Sequence, residues 1–101
     1  MLQLTSAQRS FLRALAHPLN PTVMIGGQGL TEAVIKELDN SLNSHELIKV
    51  RVLGDDREAR NRWYEEICAT LEASPVQHIG KLFVLYRPAA EPKIALPKDK
   101  K

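Results

Sequence analysis

The stretch Val23-Met24-Ile25-Gly26-Gly27-Gln28-Gly29-Leu30-Thr31 decides how this chain is read. A short β-rich run ends in a glycine-rich turn, and the turn runs straight into a helix start. Glycine lets the backbone come close to a ligand, because no side chain holds it off. The helix N-terminus behind the turn favours negative charge, so the device suits phosphate. Leu30 before the Thr31 cap and Ile35 at the fourth helical position form a hydrophobic staple that would fix how the loop enters the helix.

Neither nucleotide motif fits. A dinucleotide fingerprint needs Gly-x-Gly-x-x-Gly, and a P-loop needs Lys-Ser/Thr after its last glycine. This chain has Gly26-Gly27-Gln28-Gly29 followed by Leu30-Thr31. What remains is Gly-x-x-Gly, the loop with which KH-type modules clamp a nucleic-acid backbone. A tight strand-to-helix turn that needs only a positive φ would give the same four letters. On those letters alone the two readings stand even.

Outward from the loop, the elements alternate. Thr5-Ser6-Ala7-Gln8 is a capping box, and Phe11, Leu12 and Leu15 follow at helical spacing, so a first helix is expected over 6–16. Pro18 and Pro21 end it. Residues 22–25 form the first strand. The second helix starts at Thr31 and carries Val34, Ile35, Leu38 and Leu42 on one stripe. Ile48-Lys49-Val50-Arg51-Val52 alternates as a half-buried strand, with Lys49 and Arg51 on one face. Gly54-Asp55-Asp56 opens a third helix over 57–73, with Trp63, Ile67 and Leu71 on its buried stripe and Ala59, Tyr64 and Cys68 beside them. Ser74-Pro75 closes it. Residues 76–79 and 82–87 pair as a hairpin about Gly80-Lys81. The order αβαβαββ predicts one α/β domain, a four-stranded mixed sheet with three helices, over residues 1–88. Strand one, helix two and strand two form a right-handed crossover. Residues 89–101, rich in Ala, Pro and Lys, are expected to be a disordered basic tail.

Composition bounds the function. The chain has 101 residues, 44% hydrophobic and 26% charged, with a net charge of +2. Four lysines and two acids after Arg87 account for that excess, so the body of the domain is neutral. A polyanion site must therefore come from local segregation of charge. A domain of this size buries only about 60–68% of its unfolded surface, which leaves little room for a deep enzyme pocket. No apolar run is long enough for a membrane helix, and no signal segment opens the chain. The single cysteine, Cys68, cannot form an internal disulfide, and a cytoplasmic protein is expected.

Catalytic and metal chemistry have little support. His17, His45, His78 and Cys68 show no nucleophile or ligand spacing. Cys68 reads as a small core residue, and Trp63 and Tyr64 as packing. Arg9, Arg13, Lys49, Arg51, Lys81 and Arg87 are scattered cations whose value rises if the fold gathers them near the loop. Arg60 and Arg62 stand among Asp55, Asp56, Glu58, Glu65 and Glu66, which could hold them in surface ion pairs.

At this point the sequence resembles a known family. Leu4-Thr5 with Gln8-Arg9, Leu12-Arg13, Ala16-His17, Pro21, Ile25-Gly26, Gly29-Leu30-Thr31, Glu46-Leu47-Ile48-Lys49-Val50 and Val84-Leu85-Tyr86-Arg87-Pro88 follow, in order, the pattern of the YhbY family. These are bacterial single-domain members of the CRM (chloroplast RNA splicing and ribosome maturation) proteins. The resemblance covers residues 2–88. It implies a domain similar to the C-terminal domain of bacterial initiation factor three. It also implies a non-catalytic protein that binds RNA and is linked to precursors of the large ribosomal subunit; a monomer without a cofactor is expected. The expected RNA-binding set is Gly26, Gly27, Gln28, Gly29 and Thr31, with Arg9, Arg13, Lys49, Arg51, Lys81 and Arg87. The family often has Lys directly after the first loop glycine, where this chain has Gly27. The competing expectation is a protein-interaction module docking on a ribosomal protein or assembly factor, with the loop as a mere turn. On the RNA reading, Gly29→Asp is expected to weaken binding without harming the fold.

Overall fold

The computed structural model describes residues 3–97. Its elements are α1 (Ser6–Ala16), β1 (Val23–Ile25), α2 (Glu32–His45), β2 (Leu47–Val52), α3 (Arg57–Leu71), β3 (Ser74–Ile79) and β4 (Leu82–Tyr86). The expected αβαβαββ order holds, and the strands lie in one sheet in the order β1-β2-β4-β3. β1 and β2 are parallel, as a strand–helix–strand crossover requires, and the other pairings are antiparallel.

Local chemistry places each helix start. Thr5 Oγ1 accepts from the Gln8 N–H at 3.1 Å, while Gln8 Oε1 accepts from the Thr5 N–H at 3.0 Å, so the capping box is closed from both sides. Thr31 Oγ1 accepts from the Val34 N–H at 3.2 Å to start α2, and Asp56 Oδ1 accepts from the Ala59 N–H at 3.0 Å to start α3. Helix α3 stops two residues short of Ala73. Glu72 takes a left-handed conformation (φ 52°, ψ 40°), and the N–H groups of Glu72 and Ala73 both turn back to the Cys68 carbonyl. Ser74 and Pro75 therefore begin β3 instead of ending the helix.

Two layers of side chains sandwich the sheet. On one face α2 and α3 bury Leu38, Leu42, Ile67 and Cys68 against Ile25, Val50, Phe83 and Leu85. On the other, α1 alone buries Leu12 and Ala16 against Leu47, Val76, Val84 and Tyr86. One short helix cannot cover four strands, so part of that second face is left bare.

The chain passes from α2 to β2 through a single residue, Glu46, and no glycine is available for the bend. Glu46 itself takes φ 63° and ψ −48°, a conformation that costs a non-glycine residue on the order of 1–3 kcal/mol unless its surroundings enforce it. They do. The Glu46 N–H donates to the Leu42 carbonyl at 2.9 Å, and its carbonyl accepts from the Arg87 N–H at 2.8 Å. Its carboxylate, in a residue only 3% exposed, accepts from the Ala89 N–H at 2.7 Å, the Lys93 N–H at 2.9 Å and the Ile94 N–H at 3.1 Å. Residues 89–97 were expected to be disordered, and these bonds correct that expectation. Glu46 straps the segment to the α1 side, Ile94 and Leu96 pack on the core there, and Gln8 Nε2 donates to the Pro97 carbonyl at 3.1 Å. Residues 98–101 of the expected tail lie outside the described residues.

Arg87 faces the opposite way. Nη1 donates to the Leu71 carbonyl at 2.9 Å and pairs with the Asp39 carboxylate at 2.9 Å. Nη2 donates to the Asp39 carbonyl at 3.2 Å and to Asn43 Oδ1 at 2.9 Å. One guanidinium thus ties the end of α3 to the second half of α2. Arg87→Ala is expected to destabilise the domain by on the order of 2–3 kcal/mol, because several charge-assisted bonds go at once. Urea unfolding checks this, and an unshifted midpoint would contradict it. Burial opposes the Glu46 charge, but the three amides outweigh it and hold the carboxyl below the ordinary glutamate range. The strap is therefore fully held above that range and is released as pH falls through the lowered value. NMR shifts of the Ala89, Lys93 and Ile94 amides should move together in that acid limb. A midpoint at or above the ordinary value would count against the strap.

Candidate nucleic-acid interface

The glycine turn stands where the sequence places it, but its glycines do different jobs. The Gly29 N–H donates to the Gly26 carbonyl at 3.0 Å, closing a turn over Gly27 and Gln28, and the Thr31 N–H donates to the Gly29 carbonyl at 3.1 Å. Gly29 has φ +74° and is buried. A Cβ there would lie 2.9 Å from Trp63 Cζ2, so the indole of α3 forms the floor of the loop. Gly26 and Gly27 have no positive φ, and a Cβ on either would meet nothing within 4 Å. Gly27 and Gln28 form the exposed crest. The expectation that Gly29→Asp leaves the fold intact is therefore corrected: that change forces a side chain into both a left-handed backbone and an aromatic floor.

The C-terminal ends of β1, β2 and β3 meet at one rim of the sheet, together with this turn. The Leu53 N–H donates to the Ile25 carbonyl at 2.8 Å, and the Val52 N–H to the Lys81 carbonyl at 2.7 Å, so the loops at the rim are bonded to one another. Register partners point to the same face. Met24 pairs with Arg51, Arg51 with Leu82, and Leu82 with Ile79. This row belongs to the α1 face, because Leu47, Val84 and Tyr86 of the same parity pack under α1. Helix α1 does not reach it: Met24 is 61% and Ile79 57% exposed, and Arg51 is exposed. The row ends beside the glycine turn, which begins at Gly26, two residues after Met24.

Below the row, Arg13, His17, Lys49, Gln77 and Leu82 line a groove of about 280 Å³ where α1 meets the sheet. Lys49 Nζ donates to the His17 carbonyl at 3.3 Å, and Arg13 Nη2 to Ser10 Oγ at 3.3 Å. The fold therefore gathers Gly26, Gly27, Gln28, Arg51, Lys49 and Arg13 along one surface. It sets the others apart. Thr31 caps α2. Arg9 Nε donates to the Pro75 carbonyl at 3.4 Å on edge strand β3. Arg87 braces the two helices on the far face. Lys81 is on the rim but pairs with Asp55 at 2.7 Å.

Sequence reasoning missed Met24, Leu82 and Ile79. Their signal was the outward phase of each strand's alternation, which is visible only once α1 is known to stop short. Burial pushes the Cys68 thiol up to about 11, as suits an unreactive core side chain. Among the described residues no group of His, Cys, Asp and Glu could hold a metal ion, and no helix is long and apolar enough to cross a membrane.

These features define a small α/β domain that presents a glycine turn and an open basic–apolar sheet row to a partner. The profile of the CRS1 / YhbY (CRM) domain matches residues 4–87. The chain belongs to that family. It is 52% identical over 98 residues to an RNA-binding protein of Haemophilus influenzae, covering 97% of this chain and 99% of the relative. It is 39% identical over 95 residues to YqeI, named a probable RNA-binding protein, of Bacillus subtilis, covering 93% and 99%. A solved solution structure of a hypothetical Staphylococcus aureus protein, proposed to bind RNA, superposes with a TM-score of 0.81 at 36% identity over 94% of this chain and all of that one.

Substitution at the loop separates the roles of its glycines. Gly29→Ala should cost on the order of 1–3 kcal/mol, whereas Gly27→Ala should leave stability within about 1 kcal/mol. Thermal melts of both variants decide it. Equal losses at the two positions would contradict the division.

Proposed function

We propose that this chain is a non-catalytic RNA-binding protein of the bacterial cytoplasm, acting as a monomer on precursors of the large ribosomal subunit. The observation that carries this reading is the row Met24–Arg51–Leu82–Ile79, exposed at Met24, Arg51 and Ile79 and half-buried at Leu82, running into the exposed Gly27–Gln28 crest. The names of the relatives support RNA as the ligand, and the family resemblance supports the assembly role.

The mechanism follows from what each part offers. The crest lets a backbone phosphate approach main-chain N–H groups at the head of α2, where the helix dipole favours an anion. Without a lysine at Gly27, the contact depends on amides and close approach. Arg51, Lys49 and Arg13 neutralise the flanking phosphates, while Met24, Leu82 and Ile79 give sugars and bases an apolar bed. Apolar side chains left exposed beside cations in this way mark a binding surface rather than a solvated face. Lys81 joins only by giving up Asp55. Arg9, Arg87, Gly29 and Thr31 act through the fold.

With roughly 3–5 phosphate contacts, affinity for RNA should fall with salt at a log–log slope of about −2 to −4. Gly27→Asp, which meets open space, and Arg51→Glu should each weaken binding with the melting temperature kept. A flat salt response, or unchanged binding in both variants, contradicts the surface. In gradients of bacterial lysate the tagged chain should sediment with particles at or just below the large subunit and lose that position in Gly27→Asp. Association that survives nuclease treatment would favour a protein partner instead.

A further inference from the structure

We infer that the chain has a second phosphate-binding site, a cavity of about 320 Å³ between the start of α3 and the β3–β4 hairpin, lined by Arg57, Arg60, Asn61, His78 and Gly80. The inference rests on the RNA-binding reading and extends the bound strand from the glycine turn along the rim to the β3 edge.

The cavity is built for an anion. None of its lining side chains is acidic, and two of them are guanidinium groups, whose planar fork suits phosphate oxygens. Of the nearby acids, Asp55 pairs with Lys81 at 2.7 Å, Asp56 caps α3, and Glu58 is exposed outside the lining. The surface ion pairs expected for Arg60 do not form, since the ion pairs among the described residues are Lys81–Asp55 and Arg87–Asp39. Arg60 Nη1 reaches only the Gly54 carbonyl at 3.4 Å. Its Nε is buried with no hydrogen-bond partner among the described residues, and a buried donor in that state is costly. Burial first, and then the Arg60 and Arg57 charges, keep His78 below the ordinary histidine range, as neighbouring cations do. His78 itself is set by ring contacts at 5.1 Å to Tyr64 and 4.8 Å to Phe83, so this wall of the cavity is firm. The first turn of α3 adds the positive end of its dipole. A phosphodiester group in the cavity would meet two guanidinium groups, the Asn61 amide and the positive end of α3 together.

The test is fluorescence anisotropy of the full chain with a short single-stranded oligouridylate across a salt series. Arg57 and Asn61 are both exposed on α3, so Arg57→Ala and Asn61→Asp should keep the melting temperature of the unaltered chain. Each should weaken binding several-fold, and Arg57→Ala should make the log–log salt slope shallower by about 0.7, the value of one single-strand phosphate contact. Arg62→Ala removes the same charge from the same helix outside the cavity and should leave the slope as it was. The site is overturned unless both cavity variants lose affinity, and also if Arg62→Ala loses as much as Arg57→Ala. RNA binding that persists unchanged in the cavity variants removes this site and leaves the rim surface standing. An unaltered chain that binds no RNA removes both.

Discussion

The way the helices and the C-terminal segment are fixed on the sheet depends on the junction where Glu46 and Arg87 meet across the ends of β2 and β4. Their backbones are joined by the bond from the Arg87 N–H to the Glu46 carbonyl, and their side chains leave on opposite faces of the sheet. Arg87 binds α3 to α2 through the Leu71 and Asp39 carbonyls. Glu46 binds the C-terminal segment to the α1 side through three amides. Buried or half-buried charges are tolerable only with such complete sets of partners. The strained bend at Glu46 is the cost of joining α2 to β2 in one residue, and this junction offsets it.

Because α2 and α3 are fixed to each other at that end, their opposite ends meet the rim in a set relation. Trp63 can then lie directly beneath Gly29. The glycine turn is held from below by an aromatic ring and from behind by the Thr31 cap, while its crest stays open. A loop of this kind presents backbone to a ligand without having to order itself first, which lowers the entropic cost of binding. It also accounts for a neutral domain that still offers a polyanion surface. Arg13, Lys49 and Arg51 stand along one face of the sheet, while Asp55 and Asp39 are held in ion pairs with Lys81 and Arg87.

Much of this was legible in the chain. The capping box at Thr5–Gln8, the Thr31 cap and the strict alternation of residues 48–52 are local signals, and each produced the expected element within a residue or two. The open row and the strap were not legible, for physical reasons. Whether Met24 or Ile79 is covered depends on the length of α1 relative to the sheet, a nonlocal matter. Glu46 and Arg87 look like ordinary charges at strand ends, since the groups they bond lie 43–48 residues from Glu46 and 16–48 residues from Arg87. One clue was present at Glu46: a helix passes into a strand at Ser44-His45-Glu46-Leu47 with no glycine, asparagine or proline to make the bend, so some other residue had to be forced into it. Ala73 was placed in α3 for a similar reason, because Glu72 supplies the left-handed cap that a glycine usually marks. At the loop, the spacing of the glycines marks the turn, but only the fold distinguishes Gly29, held at a positive φ over Trp63, from Gly27, exposed on the crest.

The central claim is that RNA lies on the glycine crest and the bare sheet row. Ultraviolet cross-linking of the full chain to RNA in bacterial lysate, followed by mass spectrometry of the protein peptides, tests it most directly. The account predicts cross-links at Met24 to Gln28 and around Arg51 and Leu82. Cross-links confined to the outer faces of α1 and α2, away from the rim, would contradict it.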